Sequence, residues 1–97
     1  MAVRWSRAAE ADLYDLIDYG AQVYGLDQAT DYAVRLRDGL ELINANPLMS
    51  PLRHTVPPLR CHRHQAHLVF YDVVDNDILI VRVLHGRADW LAMLSPD

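Results

Sequence analysis

Apolar positions recur at helical spacing in the first half of the chain and at strand spacing in the second. From Arg7 to Tyr24, Ala9, Leu13, Leu16, Ile17 and Val23 fall on one side, while Asp12, Asp15, Asp18 and Gln22 take the other. That pattern predicts an amphipathic helix. Ala2 to Trp5 reads as a short strand before it, Ser6 as its N-cap and Gly25 as a left-handed C-terminal cap. Asp27 reads as a second N-cap, and Ala29, Tyr32, Ala33, Leu36, Leu40 and Ile43 give a second apolar stripe. Asp31 and Arg35 stand at i,i+4 in the favourable order, and Asn46-Pro47 ends the helix. A link as short as Gly25-Leu26-Asp27 forces the two helices into an antiparallel hairpin.

The period then changes. Pro47, Pro51, Pro57 and Pro58 mark a loop. Leu59–Gln65, Ala66–Val74 and Ile78–His85 read as three strands, with a tight turn at Asp75-Asn76-Asp77. A brief helix from Ala88 to Leu94 closes the chain, and there is no internal repeat. The order is strand–helix–helix–three-strand. It predicts an α+β fold, one domain over residues 1–97, with the helical hairpin packed on an antiparallel sheet.

The last hairpin is apolar on both sides. A tip at Asp75-Asn76 pairs Phe70 with Val81 and Leu68 with Val83, and this face, with Leu79, is the expected core under the helices. The opposite face carries Val69, Tyr71, Val73, Ile78, Ile80 and Leu84, with Arg82 and His67 among them. An antiparallel sheet wetted on one side alternates apolar with polar residues. This one does not, so its second face needs a cover: the C-terminal segment, a second copy or a partner. Little chain follows Arg87, and an exposed apolar interaction surface is the expectation. On the alternative, Trp90, Leu91 and Leu94 cover the face without help.

Charge sharpens this picture. The formal net charge is -4, which argues against a basic nucleic-acid binder and against sequence-specific DNA binding by the chain itself. Every basic side chain is Arg. No acid lies between Pro51 and Phe70, where Arg53, His54, Arg60, His62, Arg63, His64 and His67 fall. Glu10, Asp12, Asp15, Asp18, Asp27, Asp31, Asp38 and Glu41 crowd the first half. Two distinct binding surfaces would give that asymmetry, as would ordinary surface charge. Cys61 is the single cysteine, so no intramolecular disulfide forms and no zinc site rests on thiolates. With no signal core and no long apolar span, a cytoplasmic location away from the membrane is expected.

Several segments together resemble the ParE branch of the ParE/RelE toxin superfamily. They are Ala9, Asp12-Leu13 and Tyr19; Ala29 and Leu36; Asn46-Pro47; Leu59-Arg60; Val69-Phe70-Tyr71; and above all Ile80 through Arg87, a strand running into His-Gly-Arg, followed by Ala88-Asp89. The resemblance spans about residues 3 to 92. It implies the fold just derived, a ParD-like antitoxin that wraps the toxin in a hetero-oligomer, and DNA gyrase as the target. The sequence departs from the family at Cys61-His62-Arg63-His64-Gln65, which is unusually rich in histidine.

Candidate chemistry follows from single residues. Arg82 sits in an apolar run, so its guanidinium needs a partner: an anion at a cleft, or Asp72 or another acid of the chain. His85 and Arg87 lie at and beyond a strand end, where sites are common. Arg60, Arg63, Arg82, His85 and Arg87 are the candidates for contact with the target. On the alternative reading, a RelE-like ribosome-dependent mRNA endonuclease, Arg63, Arg82, His85 and Arg87 would supply acid–base and phosphate-binding groups. Leu13, Asp15, Ile17, Asp18, Tyr32 and Leu36 are the candidates for antitoxin contact, with the acidic stripe Asp12, Asp15, Asp18 either a dock for basic side chains or a solvated face. His62 and His64 share one side of a strand without an evident third ligand, so neither a metal nor a cofactor is expected.

Overall fold

The structure is a computed structural model describing residues 2–53, 55 and 58–94. His54 of the basic segment and Pro57 of the proline loop lie outside the described residues.

Strand β1 (Val3–Trp5) leads into α1 (Arg7–Tyr24) and α2 (Leu26–Ala45). Four more strands follow, β2 (Leu52–Arg53), β3 (Leu59–His64), β4 (His67–Val74) and β5 (Asp77–His85), and then a short α3 (Trp90–Leu94). The fold is α+β, with the helical hairpin on one face of the sheet. The strand order is β1-β5-β4-β3-β2. β1 runs parallel to β5 and the other pairings are antiparallel, so the sheet is mixed rather than wholly antiparallel. β2 is an addition to the three C-terminal strands expected: two residues of the proline-rich loop pair with Arg60 and Leu59.

Ser6 caps α1 as its sequence position predicts, its Oγ accepting the Ala9 N–H at 3.0 Å. The same hydroxyl donates to the Val81 carbonyl at 2.7 Å. Gly25 alone joins the helices, closing α1 through its N–H to Ala21 O and opening α2 through its carbonyl to Ala29 N–H. Its backbone, φ 98° and ψ 155°, lies in a region that is essentially glycine's alone and not in the left-handed helical region. α2 therefore begins at Leu26 with no side-chain cap, and Asp27 belongs to its first turn instead of preceding it. The Asp75-Asn76 turn has two residues at positive φ, the arrangement of a type I′ hairpin, with Val74 facing Asp77.

Both faces of the sheet are dry, and the assignment of faces is reversed for Leu68 to Tyr71, Ile78 and Ile80, while Val83 and Leu84 lie where expected. Val69, Tyr71, Ile78, Ile80 and Val83 lie under the helices against Ala9, Leu36, Leu40 and Ile43. Leu59, Cys61, Leu68, Phe70 and Leu84 form a second core on the far side. The β4–β5 register differs as well: Leu68 faces Leu84, Phe70 faces Arg82 and Tyr71 faces Ile80. Val81 is thus one extra residue in β5, a β-bulge. The bulge moves the helix-facing positions from Ile78 and Ile80 before it to Val83 after it. The chain itself covers much of the far face, although Leu91 of the expected cover is exposed. Val81, Trp90 and Leu94 pack on it, with the Trp90 and Phe70 rings 5.4 Å apart, and Phe70 is fully buried.

Candidate functional site

The edge of β5 sets the site. β1 stops at Trp5, and beyond that point side chains of α1 and of its N-cap Ser6 take over its hydrogen-bonding role. Ser6 serves the Val81 carbonyl. Asp12 accepts the Val83 N–H at 2.9 Å and grips Arg82 at both oxygens, Nε to Oδ2 at 2.7 Å and Nη2 to Oδ1 at 2.9 Å. Asp12 is therefore a structural clasp and not part of a solvated stripe. Arg82 finds its acid on α1, not at Asp72, and this partner holds its guanidinium still more firmly protonated than usual against the opposing effect of burial.

Beside this clasp a groove runs between α1 and the sheet end. It has two adjoining lobes of about 390 and 400 Å³, which share Leu16, Tyr19, His67 and His85. Gly20, Tyr24, Ala29 and Tyr32 extend the first lobe, and Asp15, Val83, Ala88 and Met93 the second. The helices approach closely here: a Cβ on Gly20 would stand 3.1 Å from that of Ala29. Tyr19 and Tyr24 lie about two-thirds exposed at the rim, where amphipathic rings serve recognition well.

A ring cluster forms the floor. The Tyr32 hydroxyl lies 2.7 Å from His67 Nδ1 and 3.2 Å from the His64 carbonyl. The Tyr32 ring meets those of His64 and His67 edge-on, and His67 meets His85 in the same way, each at 5.4 Å between centroids. A hydroxyl has one proton to give. Both Tyr32 contacts are satisfied when His67 carries its proton on Nδ1 and donates to the phenol, which then donates to the His64 carbonyl. Burial first, then the neighbouring His85 and His64, push His67 down to about 4, so its ring is neutral at physiological pH. Burial also raises the Tyr32 phenol and, with His64 nearby, lowers His62. His64 Nε2 is buried with no hydrogen-bond partner among the described residues.

The five residues expected to contact a target do not converge. Arg60 is turned to the loop, donating to Ser50 O at 2.7 Å and to Leu48 O at 3.4 Å. Arg82 is committed to Asp12. Arg63, His85 and Arg87 do gather at the end of β5. Arg63 donates to Gln65 O, and its Nη2 would lie 3.9 Å from a Cβ on Gly86. His85 Nδ1 accepts the Arg87 N–H. Burial pushes the Cys61 thiol up, although Arg53, not singled out from the sequence, and Arg63 oppose it.

The residues expected to contact an antitoxin divide. Asp15 and Asp18 are exposed, Leu13, Ile17 and Tyr32 are half-buried, and Leu36 is 1% exposed. Leu36 belongs to the core and offers nothing to a partner, because the apolar stripe of α2 is consumed by the sheet. Tyr19, Tyr24 and His67 line the groove without having been singled out as contact residues. Their exposed or mixed character gave no periodic signal. Among the described residues no group of three or more His, Cys, Asp or Glu is arranged to hold a metal ion, and no helix is long and apolar enough to cross a membrane.

Comparison with known proteins bears on this arrangement. Residues 3–90 match the family model described as ParE toxin of type II toxin-antitoxin system, parDE. The chain is 40% identical over 93 residues to Toxin ParE1 of Caulobacter vibrioides, covering 95% of this chain and 96% of that protein. It is 34% identical to Toxin ParE1 of Mycobacterium tuberculosis strain H37Rv, over 87% of this chain and 88% of that one. It is 30% identical to Toxin ParE of Escherichia coli, over 90% of this chain and 86% of that one. A solved structure titled "Chromosomal ParDE TA system from P. aeruginosa" shares the fold at a TM-score of 0.77 and 20% identity, covering 88% of this chain and 95% of the other. With the match running from β1 through the start of α3, the chain belongs to the ParE toxin family of type II toxin–antitoxin systems.

Proposed function

We propose that the chain acts by binding and not by chemistry of its own: it inhibits DNA gyrase and is neutralised by a ParD-like antitoxin, a segment of which lies in the groove along α1. The groove itself carries this reading. It is a long depression, mainly apolar in its lining, with two tyrosines exposed at its rim and an acidic border at Asp15, features that suit an amphipathic peptide segment. Asp15 and Asp18 would receive basic side chains of that segment. Arg63, His85 and Arg87, gathered at the end of β5, are the target-side candidates that remain together. Arg60 and Arg82 would support that surface by holding the loop and the bulge.

The test is expression of the chain with and without the antitoxin encoded beside it. Loss of gyrase supercoiling before loss of translation, reversed by the antitoxin, is the expected result. Prompt arrest of translation with cut transcripts would replace this reading by a RelE-like ribonuclease.

A further inference from the structure

We infer that the groove reads a carboxamide: His67 and His85 together take the side-chain amide of an Asn or Gln on the antitoxin segment, His67 accepting from its N–H and His85 donating to its oxygen. The inference rests on the groove being that segment's seat. Both rings border both lobes, so a segment that spans the lobes passes over them. They meet edge to face with centroids 5.4 Å apart, close enough for one small planar group to address both. The hydrogen bonds already made fix what each ring has left to offer. His85 Nδ1 accepts the Arg87 N–H at 3.1 Å, so the neutral ring carries its proton on Nε2. His67 is the reverse. Its Nδ1–H donates to the Tyr32 hydroxyl, which donates onward to the His64 carbonyl, and its Nε2 is a bare acceptor. Burial keeps that ring neutral. The Nε2 of His64 is buried without a partner, whereas that of His67 is not, so the latter stays open to the groove its ring lines.

One donor beside one acceptor fits an amide and misfits its isosteres. A carboxylate has no proton for His67 Nε2, and an ammonium or guanidinium has no lone pair for the His85 N–H. An apolar side chain would leave both nitrogens unpaired under an occupant that has displaced their water, which costs more than the bonds themselves are worth. The charges nearby do not make this selection. Arg87 follows the strand end and Arg63 lies beside Gly86, so both would admit a carboxylate, while Asp15 in the second lobe would admit a cation. Discrimination of Asn from Asp, or Gln from Glu, therefore falls to His67. The amide comes from a side chain and not from the backbone of the segment. His67 is half-buried on the floor with Tyr32, below the exposed rim at Tyr19 and Tyr24 along which a docked backbone would run.

The experiment uses the full chain and the purified antitoxin encoded beside it. Long-range proton–nitrogen spectra of the free chain read the tautomers: His67 should carry its proton on Nδ1 and His85 on Nε2, and any other assignment overturns the inference before a partner is added. Each Asn of the antitoxin is then changed in turn to Leu and each Gln to Met, and affinity is measured by calorimetry. One position should lose about tenfold, the worth of hydrogen bonds left unmade in a covered site. That loss should vanish when the toxin carries His67→Phe or His85→Phe, each of which keeps a ring and removes its nitrogens. With the wild-type antitoxin bound, no sensitive Asn or Gln overturns the inference, as does a loss that persists undiminished in both ring variants. Binding that leaves the backbone signals of Leu16, Tyr19 and Gly20 unmoved overturns the groove reading beneath it instead.

Discussion

The Arg82 guanidinium and the Asp12 carboxylate meet in a two-pronged ion pair between residues 70 apart in sequence, and both side chains are largely shielded from water. Such a pair stabilises little against a well-packed apolar substitute, but breaking one half leaves a stranded charge. Asp12→Ala should cost about 2–4 kcal/mol, and Asp12→Ala with Arg82→Met should recover part of that loss. Urea denaturation of the two single variants and the double variant reads the coupling. A loss below about 0.5 kcal/mol for Asp12→Ala would mean that the clasp does not hold the bulge.

The far face of the sheet depends on Trp90. Trp90→Ala removes the ring over Phe70 and should cost about 2 kcal/mol, the low end for a large aromatic because Trp90 is only half-buried. The variant should also bind an apolar-surface dye. An unchanged urea midpoint without dye binding would show that something other than the tail covers this face.

The helical hairpin was readable because its apolar positions keep one period and its ends carry Ser6, Gly25 and Asn46-Pro47. The sheet was readable strand by strand but not face by face. With Val69 and Tyr71 as apolar as Leu68 and Phe70, nothing in the alternation says which pair meets the helices. Val81 hides in an unbroken apolar run, so the shift it imposes leaves no mark in the residue pattern. β2 lay inside a proline-rich loop, where pairing of two residues has no periodic signature. The need of Arg82 for an acid was legible from its neighbours. That the acid is Asp12 was not, since a position on α1 facing the sheet edge reads like its solvated neighbours Asp15 and Asp18.

The stability of the isolated chain should fall on mild acidification. The unfolded chain protonates His67 near the ordinary 6.5, whereas the folded chain holds it down to about 4. Between those values the unfolded state binds more protons, so the stabilising contribution is complete above pH 6.5 and is lost as pH falls toward 4. Discounted for a ring that is only partly buried, the loss is about 1–2 kcal/mol. Urea midpoints at pH 7 and pH 5 should differ in the wild type and differ less in His67→Gln; equal slopes would refute the assignment.

If Asp15 and Asp18 receive basic side chains, reversing both to Arg should weaken antitoxin binding about tenfold or more at low salt. The difference should shrink as salt rises, because exposed charges are screened. Binding measured across a salt series decides it: an unchanged affinity at low salt removes both residues from the interface.

Gly25→Ala isolates backbone strain from packing. No atom lies within 4 Å of a Cβ placed there, yet φ is +98°. A cost of about 1–3 kcal/mol is expected from the backbone alone. Thermal unfolding of the variant measures it, and an undiminished melting temperature would show that the link between the helices can relax.

The start of the chain is fastened to its end: the Ala2 N–H to Asp77, the Ser6 hydroxyl to Val81, and Asp12 to Arg82. Each of these contacts waits for residues made late in synthesis. Local helix can form earlier, but long-range closures of this kind come late and slowly. A copy cut short before β5 would lack the Asp12–Arg82 clasp and the His85 wall of the groove, however well its helical hairpin had formed.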